Sequence, residues 1–110
     1  MKLIIAIVQD EDAGYLVDTL MEDGFSVTKL ATTGGFLRSG NTTLISGVED
    51  ERLEKELEII KRICHRHEQV TTTAPATIPS AGSMFAHYPV RVTVGGATVF
   101  VMDVEQFFKV

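Results

Sequence analysis

The chain has 110 residues, 45% of them apolar, a formal net charge of −5 and a single cysteine. That is enough apolar material for one domain with a real core. An acidic balance with no basic run excludes non-specific attraction to nucleic-acid polymers or anionic membranes. A lone cysteine fits a reducing compartment, so the expected location is cytoplasmic. A chain this small buries a limited share of its surface, and oligomerisation is a natural supplement.

Leu3 to Val8 is a continuous apolar run. It is too short for a membrane span and has no cleavage site after it, so it predicts a central strand covered on both faces, with no membrane insertion. Asp10 is placed to cap the next element, with Glu11 and Asp12 in its first turn. Ala13, Leu16, Val17, Leu20 and Met21 recur with helical spacing, and Asp23-Gly24 ends that helix. Phe25 to Ala31 and Asn41 to Val48 read as strands. Glu49-Asp50 opens a second helix with an apolar stripe of Leu53, Leu57, Ile60 and Cys64, and Ile63 beside it. Glu51/Lys55 and Glu58/Arg62 sit at i,i+4 on its wet face. The helix runs out near His65-Arg66-His67. Residues 68–87, with Thr71-Thr72-Thr73, Pro75 and Pro79, predict a long loop of the kind that carries function. Ile78, Met84 and Phe85 either anchor that loop or fold over a ligand. Val90, Val92 and Val94 alternate with polar residues. Gly95-Gly96 reads as a hairpin turn, and Ala97 to Met102 as the return strand. Val104, Phe107 and Phe108 in the tail want burial.

The predicted class is therefore α+β, one domain over residues 1–110. Its architecture is a ferredoxin-like βαββαβ unit with an extra C-terminal strand. Both helices cover one face of the sheet, and a symmetric oligomer packing sheet against sheet is the simple cover for the other.

The chemistry concentrates in the glycine loop, residues 32–41, and its flanks. Gly34, Gly35 and Gly40 allow close backbone approach. Thr32, Thr33, Ser39, Thr42 and Thr43 supply hydroxyls, Asn41 an amide, and Arg38 a phosphate-matching fork. Phe36 and Leu37 stand in this polar run, where an aromatic beside donors suits stacking on a nucleobase. Gly35 to Thr42 resembles a phosphate-loop motif, but Asn41 replaces the lysine and a strand-like segment follows, so a nucleotide-hydrolysing loop is rejected. A long hairpin turn whose glycines serve geometry alone is the plain alternative. Cys64, His65 and His67 lack a second cluster to complete a metal site, and Cys64 falls on the apolar stripe, so no metal is expected. His87 has no visible triad partner. Asp10 and Asp12 suit capping better than acid catalysis. No metal-binding carboxylate and histidine cluster supports a phosphodiesterase, so neither catalysis nor a cofactor is expected.

Three words of the sequence carry a resemblance. They are M-K-L-I-I-A-I-V-Q-D at the start, K-L-A-T-T-G-G-F-L-R-S-G-N-T-T from Lys29 to Thr43, and V-G-G-A-T-V-F-V-M from Val94 to Met102. With them, the chain resembles the PII-like signalling proteins of Gram-positive bacteria that act as cyclic di-AMP receptors. The resemblance implies a PII-like homotrimer that binds cyclic di-AMP in each cleft between subunits, without catalysis, and passes the signal to a downstream protein. It also implies a short loop after the second strand and a long one after the second helix. By position it implies ligand contacts from Thr28, Phe36, Leu37, Asn41, Gly47 and Phe100, with Val27, Lys29 and Arg38 as weaker candidates. Thr28 would bond phosphate or ribose, Asn41 and the Gly47 backbone an adenine edge, and Phe36, Leu37 and Phe100 would wall the bases. Some relatives carry arginine where this chain has Ser26. A PII-type sensor of ATP or another adenine nucleotide is the alternative.

Overall fold

The computed structural model describes residues 1–30, 40–73 and 88–110. The elements are β1 (Lys2–Gln9), α1 (Asp10–Glu22), β2 (Ser26–Lys29), β3 (Asn41–Val48), a 3₁₀ turn (Asp50–Arg52), α2 (Leu53–Cys64), β4 (His67–Thr73), β5 (Tyr88–Val94) and β6 (Ala97–Asp103). The main sheet has the order β2-β3-β1-β6, with all neighbours antiparallel. β4 and β5 form a separate two-stranded ribbon.

β1 is central, as its unbroken apolar run requires. Its Ile4, Ala6 and Val8 are buried in one cluster with Ala13, Leu16 and Leu20 of α1 and Ile59, Ile60 and Cys64 of α2. Leu3, Ile5 and Ile7 point the other way, because side chains alternate along a strand, and are only half-buried. Both helices thus lie on one face. In α1, Met21 is 59% exposed and so leaves the predicted stripe. In α2, burial centres on Glu56, Ile59, Ile60 and Cys64, while Leu53, Leu57 and Ile63 flank the core. Ion pairs among the described residues join the Met1 amino group to Asp50, Lys2 to Asp103 and Arg91 to Glu68. The predicted Glu51/Lys55 and Glu58/Arg62 pairs are not among them.

Four sequence expectations are corrected. Asp10 does not cap α1; Gln9 holds that position, and its side chain makes no capping hydrogen bond to the helix. The Asp10 carboxylate instead accepts a hydrogen bond from the Thr42 hydroxyl on β3. Residues 68–73 are strand rather than loop. They pair with β5 from His67↔Val94 to Thr73↔Tyr88, as a β-branched run of valine and threonines favours. The remainder of that predicted loop, 74–87, lies outside the described residues. The fourth strand of the ferredoxin-like sheet is β6, not Val90–Val94, so the additional pair of strands is an insertion after α2 rather than a C-terminal addition. Finally, Gly95-Gly96 closes no hairpin. It is the junction where the chain leaves the ribbon and enters the sheet.

That junction is held by two hydrogen bonds, and a third beside it ties Asp10 to Gly40. Gly95 donates its N–H to the Gln9 side-chain oxygen at 2.8 Å. Gly96 donates to the Cys64 carbonyl, capping α2. Asp10, next to Gln9, donates its N–H to the Gly40 carbonyl at 2.9 Å. Gly95 and Gly96 have φ of +81° and +91°, which side chains disfavour, and a Cβ on Gly95 would fall on the His65 carbonyl. Gly95→Ala is therefore expected to cost about 2 kcal/mol or more in folding stability. Gly14→Ala, on α1 with nothing within 4 Å of the new methyl, should stabilise by up to about 1 kcal/mol. Denaturant midpoints of the two variants check both signs.

Candidate ligand-binding site

Strand alternation sorts the sequence-predicted site residues onto two faces. The register sets Thr28 opposite Ile45, Ile45 opposite Ile5, and Ile5 opposite Phe100. This row crosses the whole sheet on the face without helices. Gly47 and Asn41 share that parity on β3, opposite Leu3 and Gln9. Thr28, Asn41, Gly47 and Phe100 therefore lie on one open face. Val27 and Lys29 have the opposite parity, opposite Ser46 and Leu44, and Val27 packs against the core. Phe36, Leu37 and Arg38 lie outside the described residues.

The four open-face residues are spread out. Asn41 and Gly47 are six positions apart on β3, or about 20 Å. Thr28 and Phe100 are three strand spacings apart, or about 14 Å. One copy of the chain brings Thr28 and Gly47 together and leaves Asn41 and Phe100 at a distance.

Thr28 and Gly47 line a hollow of about 590 Å³ with Ser26, Leu3 and Ile45. Phe25 and Arg52 form its wall at the sheet edge, and Phe107 and Lys109 of the C-terminal segment close another side. Among the described residues, a Cβ on Gly47 would meet only the Met1 methyl at 3.8 Å, so the strand backbone faces the hollow. The Arg52 guanidinium rests 4.0 Å above the Phe25 ring and donates to the Asp23 carbonyl at 2.6 Å. Arg52, Lys109, the Ser26 and Thr28 hydroxyls and the Glu49 carboxylate stand beside apolar walls, which suits a ligand with both polar and flat apolar parts. Two smaller hollows, at the end of α2 and at the base of the ribbon, hold none of the predicted site residues.

Sequence reasoning missed Phe25, Arg52 and Lys109 as lining residues. Phe107 carried a signal, as an aromatic in a polar tail. Arg52 carried none, because it reaches the hollow through the turn before α2.

Behind the site, Glu56 is fully buried. Burial pushes its carboxyl up from the ordinary range, against the pull of the Ser46 hydrogen bond and the Arg52 charge. Cys64 is buried, and its thiol is pushed up to about 11 by burial, with the Asp12 charge adding to the shift. Among the described residues, no group of three histidine, cysteine or acidic side chains could hold a metal, and no helix is long and apolar enough to cross a membrane.

All 110 residues match the family described as cyclic-di-AMP receptor. The chain belongs to that family. A protein of unknown function from Pediococcus pentosaceus, known by its crystal structure, is 49% identical to it. The match covers 99% of this chain and 96% of that one, with a TM-score of 0.76. A DUF3240 family protein from Shewanella baltica is 17% identical, with 99% and 94% of the two chains covered and a TM-score of 0.53. That likeness shows the fold alone. Membership in a receptor family makes signal transduction through cyclic di-AMP the family's business, and the antiparallel sheet with two helices fits the PII-like architecture.

With its thiol buried and held protonated, Cys64 is expected to resist a thiol reagent at neutral pH in the native protein and to react promptly in denaturant. Fast labelling of the native protein would show that the end of α2 opens.

Proposed function

We propose that this chain is a non-catalytic cytoplasmic receptor that binds cyclic di-AMP in the clefts between subunits of a homotrimer. The observation that carries this reading is the split of the open-face residues. Thr28 and Gly47 share a hollow, whereas Phe100 stands about 14 Å away across the sheet. A neighbouring copy packed on the open face would bring its own Phe100 to the hollow, so that a site incomplete in one chain is completed by two. Leu3, Ile5, Ile45 and Met102 share the face, and its Phe100 and Met102 are 51% and 45% exposed. Burial of that surface would supply the association energy.

In this reading Thr28 bonds phosphate or ribose, Asn41 and the Gly47 backbone read an adenine edge, and Phe100 walls a base. Phe36, Leu37 and Arg38 would complete the pocket from the glycine loop. Ser26, where some relatives carry arginine, leaves phosphate charge to be balanced by Arg38 or by Lys109, which lines the hollow. Ligand at the seam favours the loop arrangement that closes over it, which alters the surface offered to a downstream protein.

Isothermal titration with cyclic di-AMP should show one dinucleotide bound per subunit, and light scattering should report a trimer. Thr28→Ala should weaken binding about tenfold, the scale of a hydrogen bond to a charged group, without changing the mass. Solitary subunits with and without ligand would overturn the reading. Competition against ATP separates it from a PII-type sensor of mononucleotides.

A further inference from the structure

The hydroxyl of Ser46 has two acceptor-type neighbours and one proton. Its Oγ lies 2.9 Å from the Ser26 carbonyl oxygen and 2.8 Å from Glu56 Oε1. A backbone carbonyl only accepts. If Ser46 gave its proton to a Glu56 carboxylate, its oxygen would face the Ser26 carbonyl with no proton between them. If Ser46 gives its proton to Ser26, the contact with Glu56 needs a donor, and only the neutral carboxylic acid supplies one.

The surroundings favour the acid form too. Glu56 is 0% exposed, and its second oxygen has no hydrogen-bond partner among the described residues. A buried charge so poorly satisfied is far more costly than a neutral acid. Among the described residues the charged group that acts on Glu56 is Arg52, one turn earlier, and its guanidinium is committed to Phe25 and to the Asp23 carbonyl. β3 faces Glu56 with the Ser46 hydroxyl, which in turn meets the Ser26 carbonyl of β2. β1 and α1 give apolar Ile4, Leu16 and Leu20 to the same core.

We propose that Glu56 keeps its proton in the folded protein, donates it to Ser46, and so frees Ser46 to hold the Ser26 carbonyl; Glu56 is a positioning residue for the ligand site. The link to the site is short. Ser26 is paired with Gly47, and Thr28 follows two residues later on the same edge strand. When Glu56 loses its proton to solvent, Ser46 turns its hydroxyl to the carboxylate. The Ser26 carbonyl then loses its donor, and β2 loses a side-chain fastening to β3. This role rests on the reading in which Thr28 and Gly47 contact cyclic di-AMP.

The sign follows from linkage. A carboxyl whose folded-state pKa is raised contributes stability that is fully present below its ordinary pKa of 4.5. That contribution is lost as pH rises through the raised value. Ligand affinity should fall in the same direction, by roughly fivefold for one hydrogen bond.

The test is a pH titration of the full chain with carboxyl-labelled glutamate, read by carbon NMR without ligand, beside titrations with cyclic di-AMP across the same range. One glutamate resonance, missing from Glu56→Gln, should titrate above 4.5. Parent affinity should weaken about fivefold as it does so. Glu56→Gln, whose amide donates to Ser46 at every pH, should show no such decline. Ser46→Ala, which keeps the carboxyl and removes the hydroxyl, should flatten the profile as well. A Glu56 resonance that titrates at or below the ordinary value overturns the proposal whatever the ligand does. A raised titration with identical affinity profiles in parent and variants overturns the positioning role. Absence of binding by every protein at every pH overturns the receptor reading and the role in binding with it, while the ligand-free titration still reports on the Glu56 proton.

Discussion

The structure depends on β1 having two apolar faces, of which, among the described residues, helices cover only one. Ile4, Ala6 and Val8 meet the helices and close the core. Leu3, Ile5 and Ile7 are left half-buried on the other side. A strand with this composition is unstable at the edge of a sheet or against water, so it takes the centre, and β3 and β6 must pair with it on either side. The order of the sheet and the common side of the two helices follow from where those six side chains point.

The parts of the fold governed by short-range pattern were legible in the sequence. The apolar run of β1, the helical spacing from Ala13 to Leu20 and the glycine after Asp23 each act through neighbours a few residues away. What was not legible was settled by long-range pairing. Thr71 to Thr73 have high strand preference, but no local signal said which strand would take them, and the prolines after them argued for a loop. Val90 to Val94 alternates as a sheet strand should, yet it pairs with β4 and leaves the fourth place in the main sheet to β6. Gly95-Gly96 has the composition of a tight turn, and its conformation comes instead from what it is tied to.

The site divides along similar lines. Thr28, Asn41, Gly47 and Phe100 came from resemblance in sequence, and register alone puts them on one face. Val27 and Lys29 came from the same source, and alternation puts them on the other. Glu56 shows the opposite failure. On a helix with charged residues all around it, one more glutamate looks like solvent-facing surface. Its place four residues before Ile60 and three before Ile59 was the available hint, and polarity outweighed it. A buried acid can be recognised only when the partner on the sheet, here Ser46, is known.

The fastenings at Gln9 and Asp10 give the molecule a shared footing. Gln9 carries the base of the ribbon through Gly95, and Asp10 carries the exit of the glycine segment through Gly40. These are adjacent residues where β1 passes into α1, so a single peptide unit separates the mooring of the ribbon from that of Gly40. Tilting either one loads the same pivot. A displacement of that one peptide unit would move both attachments together.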